Sequence, residues 1–368
     1  MKAACITIHR PVNFGSALQT LATQVVWERQ GVELQTIDYI PARLQCRHRV
    51  RLLLNDKSLS WKKRVATFLT MDLFNRRVFD SFIRRYVRLT ERSYHSLQEL
   101  TGHCPQADFY LTGSDQVWNS FYNGGVDPAF FLAFLPDGAC RFSFASSFGT
   151  AELNDNEKNE IKVALSHYSL ISVREQSAVE QIAQMGLPVP TLLPDPTLLL
   201  NRDEWLSLFP RRTYEQRYVL VYPMSFMDPE LFSVARQAAD VLGAEVWCLS
   251  PGLKRYKECD RTLRFRSPEE FVSLVGQAQF VVTNSFHGTA FAVNMERPFA
   301  TIMPYAFGTR IESLLNRLSL SWRIWHKGAD VEPYLKQLPH LALRQMLDAD
   351  RLACTEYMKA ITNMIYTN

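Results

Sequence analysis

The chain has 368 residues, of which 47% are apolar and 21% are charged, and its formal net charge is +4. This length suits two domains of ordinary size, and the apolar fraction is typical of globular proteins and not of disordered chains. No apolar run approaches the ~18 residues of a membrane-spanning helix. The N-terminus lacks the apolar stretch and the cleavage site of a signal peptide. The seven cysteines are scattered without a C-x-x-C pair, which favours reduced thiols in a cytoplasmic protein over disulfides or a zinc site.

The first half of the chain alternates strand and helix patterns. A short β-rich run at residues 3–8 is followed by a polar turn and a helix that ends at Gly31, and "ELQTIDYI" predicts the next strand. Further on, "ADFYLTGSD", "FSFASSFG" and "LISVRE" each predict a strand that ends in small, polar or charged residues. The helix "SAVEQIAQMG" then ends at Gly186. The stretch "PTLLPDPTLLL" predicts a strand whose end is interrupted by prolines, with Asp195 in a rigid structural turn between them.

A second series begins after the polar stretch at residues 201–217. Here "RYVLVYPM" and "AEVWCLS" predict strands on either side of a helix that ends at Gly243. The helix "SPEEFVSLVGQA" begins with a capping box of Ser267 and Glu270, and it leads to the strands "FVVTNS" and "FATIMP". The last stretch predicts a C-terminal helix.

This alternation predicts an α/β fold with parallel sheets that are covered on both faces. We expect two Rossmann-like domains facing each other across a cleft, at residues 1–205 and 215–325, and a C-terminal helix at residues 340–368. A basic helical insertion is expected at about residues 43–90 of the first domain. Open parallel sheets bind ligands at the carboxyl ends of their strands, so the chemical residues should lie in the strand-to-helix turns.

The insertion, from Arg43 to Arg88, carries an excess of positive charge. It holds thirteen Lys and Arg against three Asp, so the remainder of the chain is net acidic. Apolar residues recur in it at helical spacing, which predicts one or two basic amphipathic helices. These residues are Trp61, Val65, Phe68, Leu69, Leu73, Phe74, Val78 and Phe82. Such helices either pack on the domain or dock on an anionic bilayer or a lipid-pyrophosphate substrate. Nucleic acid is not expected, because no recognisable binding module accompanies the charge.

The turn "NSFHGT" lies between a predicted core strand and a helix. A helix N-terminus presents unpaired N–H groups and a partial positive charge, which attract an anion. Gly288 permits a tight backbone there, while Asn284 and Ser285 can cap the helix or bind ligand oxygens. His287 can then give or take a proton beside a bound phosphate or carboxylate. The alternative is a structural histidine bonded to a backbone carbonyl.

The turn "TGSDQVWN" follows another predicted strand. Ser114, Asp115, Gln116 and Trp118 offer a small residue, a carboxylate, an amide and an indole. This combination suits a carbohydrate, with hydrogen bonds to hydroxyls, an aromatic face for the ring and a carboxylate that can accept a hydroxyl proton. The alternative is an ordinary Asp-containing turn with the tryptophan in the core.

Two further turns hold polar residues at strand ends. Arg174 follows an apolar strand, where it can grip a phosphate or carboxylate or instead form a salt bridge to Glu175 or Asp195. Asn13 lies in the first turn, just before a helix. The sequence contains no P-loop, no well-placed G-x-G-x-x-G, no metal-ligand cluster and no nucleophile elbow, so NTPase, dinucleotide and covalent hydrolase functions are disfavoured.

Taken in order, "NFGSALQTLA", "LTGSDQVWN", "SFG", "ISVREQSAVEQI", "LPDPTLLL" and "VVTNSFHGTAFAVNMERPF" resemble the polysaccharide pyruvyl transferase family. The resemblance covers roughly Ile6 to Met303 apart from the basic insertion, and the combination of GSDQVWN with NSFHG is its specific part. Phe14 departs from the tyrosine that is common in the family.

The resemblance implies a GT-B-like fold, with the first domain on the acceptor side and the second on the donor side. It implies transfer of pyruvate from phosphoenolpyruvate to two hydroxyls of a sugar in a surface or exopolysaccharide precursor, forming a cyclic ketal and releasing phosphate. Phosphoenolpyruvate is then a co-substrate, and no cofactor or metal is expected. The acceptor would be a glycan or a lipid-linked oligosaccharide. The protein would be cytoplasmic and would dock on the inner face of the membrane.

The family match carries function most directly onto His287 and Arg174, and the chemistry of the transfer suggests roles for the turn residues. His287 is expected to protonate the donor or its leaving phosphate, and Asp115 to be the base on the acceptor hydroxyl. The expected donor-binding residues are Arg174, Asn284, Ser285, Gly288 and Thr289. The expected acceptor-binding residues are Asn13, Ser114, Gln116 and Trp118.

Two other functions stay open at this point. A GT-B glycosyltransferase with a nucleotide-sugar donor would use the same helix N-terminus and arginine, but it would also need a pocket for the base and ribose. A non-catalytic glycan-binding protein of the same fold would have no need of the His, Arg and Asp in the turns.

Overall fold

The computed structural model describes residues 1–45, 50–51, 60–150, 152–210, 212–224, 228–250, 255–305 and 308–367. The chain divides into two compact units. The first unit consists of Met1–Arg64, Asp80–Leu199 and Ala349–Asn368, and the second consists of Val65–Phe79 and Leu200–Asp348.

The first unit contains a five-stranded sheet in the order β3-β2-β1-β4-β5, in which every neighbouring pair is parallel. Its strands are β1 (Lys2–Ile6), β2 (Glu33–Tyr39), β3 (Leu89–Tyr94), β4 (Phe109–Thr112) and β5 (Arg141–Ser143). Two short parallel strands, β6 (Ser172–Val173) and β7 (Thr191–Leu192), form a separate pair. A parallel bridge between Phe142 and Leu170 links this pair to the edge of the main sheet.

Helices lie between and after these strands along the chain. Those before residue 200 are α1 (Phe14–Arg29), α2 (Trp61–Thr67), α3 (Arg76–Tyr86), α4 (Leu97–Gly102), α5 (Ser120–Asn123), α6 (Asp155–Leu165) and α7 (Gln176–Gln184). A π-helical segment, Phe68–Asn75, joins α2 to α3, and short 3₁₀ turns lie at Ala42–Leu44, Pro128–Phe131 and Pro196–Leu198. The central helix α1 is buried along most of its length, and it packs against the 3₁₀ turn at Pro196–Leu198.

The second unit repeats the sheet order, as β10-β9-β8-β11-β12, again with every neighbouring pair parallel. Its strands are β8 (Tyr218–Tyr222), β9 (Glu245–Ser250), β10 (Arg261–Arg264), β11 (Phe280–Thr283) and β12 (Phe299–Thr301). All five residues of β8, "YVLVY", are buried, as expected for a central strand that is covered on both faces. The predicted α/β class with parallel sheets in two Rossmann-like domains is therefore confirmed.

The helices after residue 200 are α8 (Arg202–Leu208), α9 (Pro229–Leu242), α10 (Pro268–Gln277), α11 (Phe286–Asn294), α12 (Thr309–Arg317), α13 (Glu332–Leu335) and α14 (His340–Thr367), with a 3₁₀ turn at Ser321–Arg323. The predicted capping box of α10 is present, because Ser267 Oγ accepts from the backbone N–H of Glu270 and the Glu270 side chain accepts from Ser267 N–H. Among the described residues, no helix is both long enough and apolar enough to cross a membrane.

The stretch "PTLLPDPTLLL" begins as the predicted strand, and its proline-containing end is a turn, as its two prolines indicated. Only Thr191–Leu192 pairs as a strand, and Pro196–Leu198 is a 3₁₀ turn. Pro194 and Pro196 lack the backbone N–H that a strand needs, so they end the ladder. The basic insertion is helical from Trp61 onwards, whereas its residues 46–49 and 52–59 lie outside the described part of the chain.

Candidate active site

The strand order brings two loops together at the centre of each sheet. In the first unit the chain winds from β1 to β3 in one direction and then returns to β4 on the other side of β1. The loops after β1 and β4 are therefore neighbours, and β8 and β11 hold the same positions in the second unit. Ligands of open α/β sheets bind at this reversal point, beyond the carboxyl ends of the strands. Asp115 follows β4 and His287 follows β11, so both predicted catalytic residues lie at such a point.

Asp115 is held in an unusual backbone conformation. Its φ is 71°, in the left-handed region that residues other than glycine rarely adopt, and such strain gathers at functional sites. Its Oδ2 accepts a hydrogen bond from Ser16 Oγ at 2.5 Å, and its Oδ1 accepts one from the backbone N–H of Gln116 at 2.9 Å. Because Ser16 lies in the first turn of α1, the carboxylate is fixed near the positive end of that helix.

Arg174 is a buried cation between two carboxylates. Its Nη1 donates to Asp195 Oδ2, and its Nη2 lies 3.6 Å from Asp115 Oδ1. Burial lowers the pKa of Arg174, but the charges of Asp195 and Asp115 outweigh it, so the net shift is upward. The salt bridge to Asp195, one of the alternatives considered for this arginine, is therefore present, and Arg174 also holds Asp115 in place.

A second arginine near Asp115 was not predicted as a site residue. Arg43 follows β2, and its Nε and Nη2 are buried with no hydrogen-bond partner among the described residues. Burial lowers the pKa of Arg43, and the charges of Asp115 and Asp127 oppose that change. Tyr39, at the end of β2, donates its hydroxyl to Asp127 Oδ2 at 2.9 Å. The reversal point of the first unit thus carries a buried guanidinium with unused donors beside the candidate base.

The S-S-F-G loop after β5 is fixed by one buried carboxylate oxygen. Glu175 Oε1 accepts hydrogen bonds from Ser147 Oγ and from the backbone N–H groups of Phe148 and Gly149, at 2.9–3.1 Å. Gly149 has a φ of 69°, and a Cβ there would lie 2.1 Å from Gln116 Oε1. The glycine is therefore required for the predicted acceptor residue Gln116 to keep its position.

Trp118 does not offer a face to a sugar. Its ring is 1% exposed, its Nε1 donates to the Phe130 carbonyl at 3.2 Å, and it stacks on Phe131 with ring centroids 5.4 Å apart. The structure therefore corrects its expected acceptor role in favour of packing in the core. Of the other predicted acceptor residues, Asn13 caps α1 by accepting from Ser16 N–H at 3.2 Å, and Ser114 is fully buried.

His287 lies in the first turn of α11, directly beyond β11. The imidazole is buried, and its edge contacts Phe286 with ring centroids 5.1 Å apart. Ser285 is the N-cap of the helix, since its Oγ accepts from Gly288 N–H at 3.3 Å. Asn284 Oδ1 accepts from Met224 N–H at 2.6 Å, which ties this turn to the loop after β8. The predicted donor-binding turn therefore has the capped helix N-terminus that its sequence indicated.

The small residues of this turn are determined by packing. A Cβ on Gly288 would lie 2.3 Å from Thr283 Oγ1 and 2.9 Å from Tyr222 Cδ1, so only glycine fits. Thr289 is fully buried, and its Oγ1 donates to the Ser285 carbonyl at 3.0 Å and contacts Thr301 Oγ1 at 2.9 Å. Gly288 and Thr289 thus support the turn, and their expected contacts with the donor stay predictions.

Arg310 is a cation of the second unit that the sequence analysis missed. It lies in α12, is 8% exposed, and its guanidinium carbon is 5.4 Å from the centroid of the Phe286 ring. A guanidinium over an aromatic face is attracted to the ring and is oriented by it. Because Phe286 precedes His287, this cation lies close to the start of α11.

A second buried charge cluster lies at the end of β1 and has a structural character. His9 Nε2 lies 2.9 Å from Asp38 Oδ1, and Arg10 donates to both oxygens of Asp38. Burial raises the pKa of Asp38, but hydrogen bonds from His9 and Arg10 outweigh it and hold the pKa well below its usual range. The cluster fixes the chain between β1 and β2.

Two expectations about the site stay predictions. His287 belongs to the second unit and Arg174 to the first, and their expected meeting in one pocket stays a prediction. Within the described residues, no group of three or more His, Cys, Asp or Glu side chains is arranged to hold a metal ion.

Solved structures define the class of fold. The UDP-GlcNAc 2-epimerase of Neisseria meningitidis, bound to UDP-GlcNAc, is 9% identical with a TM-score of 0.54, and all of both chains is covered. MnaA of S. aureus, solved with UDP, is 12% identical with a TM-score of 0.50, over 95% of this chain and 89% of that one. HepE of Anabaena, in complex with UDP and glucose, is 8% identical with a TM-score of 0.50, over 98% and 100%. The chain thus has the GT-B class of fold, built from two Rossmann-like domains.

The family follows from the sequence. The profile of the polysaccharide pyruvyl transferase family matches residues 13–304, which is more than half of the chain, and the protein belongs to this family. The protein is therefore a transferase of polysaccharide biosynthesis. A comparison with curated proteins gave no significant match.

Proposed function

We propose that the protein transfers the pyruvyl group of phosphoenolpyruvate to two hydroxyls of one sugar in a surface or exopolysaccharide precursor. The products are a cyclic ketal and phosphate. The observation that carries this proposal is the buried His287 at the capped start of α11, in a chain whose family match extends through that turn. The reaction involves no net oxidation, so its chemistry requires no redox cofactor.

The donor is proposed to bind at the start of α11 in the second unit. Phosphoenolpyruvate carries a phosphate and a carboxylate, and both favour backbone N–H groups at a helix N-terminus and guanidinium partners. The start of α11, capped by Ser285, supplies the backbone N–H groups, and Arg310 near Phe286 supplies a guanidinium. Asn284 and Ser285 line the same turn. Arg174 remains a proposed donor contact through its cationic guanidinium, although its carboxylate partners already occupy much of its hydrogen-bonding capacity.

The proposed chemistry moves two protons. An acid, proposed to be His287, gives a proton to the methylene carbon of the donor, which becomes a methyl group and leaves the central carbon electrophilic. The first sugar hydroxyl loses its proton as its oxygen bonds to that carbon. The bond from the carbon to the phosphate oxygen then breaks, the second hydroxyl oxygen bonds to the same carbon, and phosphate leaves. One of the two hydroxyl protons restores the proton that the acid gave to the methylene carbon. The other hydroxyl proton leaves with phosphate or passes to solvent.

The acceptor is proposed to bind at the reversal point of the first unit. Asp115 is the proposed base, because its carboxylate is oriented by Ser16 and held near Arg174. Arg43 has buried donors without partners there, so it is proposed to bind an oxygen or an anionic group of the acceptor. Asn13, Ser114 and Gln116 are proposed to contribute through the same loops, whether the acceptor is a glycan or a lipid-linked oligosaccharide.

The test is phosphate release from phosphoenolpyruvate in the presence of a panel of p-nitrophenyl hexosides and lipid-linked oligosaccharides. We expect release that depends on the acceptor and falls about 10²–10⁴-fold in His287→Asn, the usual range for loss of an acid–base group. The same substitution at His167, which is exposed in the first unit, serves as the matched control and should leave the rate unchanged. Wild-type rates in His287→Asn would refute its role.

A glycosyltransferase that uses a nucleotide sugar is the second candidate. It is favoured by one observation: three solved structures of similar fold hold UDP, UDP-GlcNAc, or UDP and glucose. Its test is release of UDP from UDP-hexoses with the same acceptors. UDP release without any phosphate release from phosphoenolpyruvate would replace the pyruvyl transfer proposal, and binding of glycans without either release would indicate a non-catalytic member of the fold.

We also propose that the basic insertion docks on the inner face of an anionic membrane. Trp61 is 70% exposed, Phe74 54%, Val65 49% and Leu69 41%, which leaves large apolar groups in water within a basic helical segment. Apolar side chains among cations are typical of helices that lie on anionic bilayers. We expect salt-sensitive co-sedimentation with vesicles of phosphatidylglycerol, weakened in Trp61→Ser but not in Phe121→Ser, a control at an aromatic residue that is 78% exposed elsewhere. Equal recovery in the supernatant with and without vesicles would remove the proposal.

A further inference from the structure

A cavity of about 180 Å³ lies in the second unit, away from the start of α11. The cavity is lined by residues of α8 and α10 and by Arg297. Arg297 lies two positions before the first residue of β12. His287 follows the carboxyl end of β11, which is parallel to β12, so the cavity belongs to the opposite edge of the same sheet. We call it the arginine cavity. Its lining residues are Arg202, Trp205, Leu206, Phe209, Arg212, Val272, Ser273, Gly276, Gln277 and Arg297.

Two of its three arginines have a buried side-chain donor without a partner. The Nε of Arg202 and the Nε of Arg297 are buried, and neither makes a hydrogen bond within the described part of the chain. Arg212 donates to Glu270 Oε1 at 2.6 Å, and this oxygen also accepts from Arg266 Nη1 at 2.9 Å. No carboxylate is among the lining residues. A guanidinium without a partner in a partly buried place is costly, because its lost hydration is not replaced.

The charges of the two arginines act on each other. Burial lowers the pKa of Arg297, and the positive charge of Arg202 lowers it further. The carboxylate of Glu296 opposes this change, but it is bound in a bidentate ion pair by Arg344. The guanidinium groups of Arg202 and Arg297 thus line the same cavity. An anion that binds there can accept hydrogen bonds from both of them.

The floor of the arginine cavity is apolar. Trp205 is fully buried and stacks on Phe209 with ring centroids 6.3 Å apart, and Leu206 and Val272 complete the surface. A Cβ on Gly276 would lie 3.3 Å from Leu206 Cδ2, so a larger residue there would narrow the space. The lining of the cavity therefore combines two cationic side chains with a small apolar surface.

We propose that the arginine cavity binds a small organic phosphate monoester. A dianionic phosphate offers enough oxygens to accept from both guanidinium groups, and the apolar floor packs against a carbon body of about three atoms. The volume excludes a nucleotide, because sites for drug-sized ligands measure roughly 300–1,000 Å³. The argument uses none of the residues assigned to pyruvyl transfer, so it stands whether or not that proposal holds.

The test is calorimetric titration of the full chain at constant ionic strength with glycerol 3-phosphate, inorganic phosphate and glycerol. We expect saturable binding of glycerol 3-phosphate and none of glycerol. Affinity should fall at least about tenfold in Arg202→Gln and in Arg297→Gln, because each removes charge-assisted hydrogen bonds. Arg217→Gln, which removes one exposed charge from the same unit, is the matched control and should bind as the wild type does.

A second measurement covers the case in which the variants do not fold. Phenylglyoxal modifies arginine side chains, and mass spectrometry locates the modified positions. In the wild-type protein, glycerol 3-phosphate should protect Arg202 and Arg297 from modification while leaving Arg217 reactive.

Several results would overturn the proposal. The absence of saturable binding, or binding and protection that do not involve Arg202 and Arg297, would mean that the cavity is not the site. Inorganic phosphate binding as tightly as the ester would mean an adventitious ion only. Tighter binding of succinate, titrated in parallel, would replace the phosphate monoester with a carboxylate. An equal loss of affinity in Arg217→Gln would mean that binding depends only on the net charge of the protein and not on the two arginines of the cavity.

Discussion

Substitution of Gly288 by alanine tests the close packing beneath the histidine turn. The added Cβ would lie 2.3 Å from Thr283 Oγ1 and 2.9 Å from Tyr222 Cδ1, both closer than unbonded atoms tolerate. The threonine cannot simply rotate, because its Oγ1 donates to the Tyr222 carbonyl at 2.7 Å and accepts from Ser285 N–H at 3.0 Å. Overpacking of a tight core costs about 1–3 kcal/mol, and we expect the upper half of that range because backbone must move.

The assay is urea unfolding of Gly288→Ala followed by circular dichroism, with the transition midpoint compared with that of the wild type. Gly102→Ala is the matched control, because a Cβ there meets nothing within 4 Å and the residue ends a helix. The control should unfold within about 0.5 kcal/mol of the wild type, which is usual for surface substitutions. Since the shift displaces the start of α11, phosphoenolpyruvate turnover should fall as well. Equal midpoints for Gly288→Ala and Gly102→Ala would refute the packing argument.

Three further predictions concern charge and thiol chemistry. The lowered pKa of Asp38 means that its ionised form stabilises the fold above the ordinary pKa of about 3.9, and that this contribution is lost as pH falls towards the folded-state pKa. Asp38→Asn should therefore lower the free energy of unfolding by about 3 kcal/mol at pH 7, and the difference from the wild type should narrow below pH ~4 in urea titrations. Arg43→Gln should raise KM for the acceptor about tenfold or more with little change in KM for phosphoenolpyruvate, whereas Arg77→Gln, exposed in α3, should change neither in steady-state assays. The hydrogen bond with Cys248 lowers the pKa of Cys259 to about 7, so iodoacetamide should label Cys259 faster as pH rises through 7, and equal labelling at pH 6 and 8 would contradict this.

The fold was largely predictable because its signals are local. The strand–helix alternation, the glycines with positive φ at Gly31, Gly186 and Gly243, and the capping box at Ser267 all act within a few residues. Strands β3 and β10 were not predicted. Their sequences, "LTERSY" and "RTLR", are rich in polar and charged residues, as is common at the edges of sheets, and the apolar pattern is absent there.

The site was predictable only where one turn supplies it. The start of α11 has its cap, its glycine and its histidine in consecutive positions, so His287 and Ser285 could be found from the sequence. Contacts between distant segments could not be found from the sequence in this way. Ser16 meets Asp115 from 99 positions away, and Arg310 approaches Phe286 from another helix.

Side-chain direction was a further limit. Trp118 was expected to present its ring to a sugar, but the turn that begins with Asp115 in the left-handed region directs the indole into the core. Arg43 was counted with the basic insertion as surface charge, although it is the first basic residue after β2 and its guanidinium is partly buried near Asp115. Its position just beyond a central strand was the available signal.

The most direct test of the central claim is mass spectrometry and proton NMR of the sugar product formed from phosphoenolpyruvate in deuterium oxide. Protonation of the methylene carbon by an exchangeable acid predicts a ketal whose methyl group carries one deuterium, made by the wild type and His167→Asn but at a rate about 10²–10⁴-fold lower by His287→Asn. A product that retains the methylene group, a methyl group without deuterium, or an undiminished rate in His287→Asn would contradict the account.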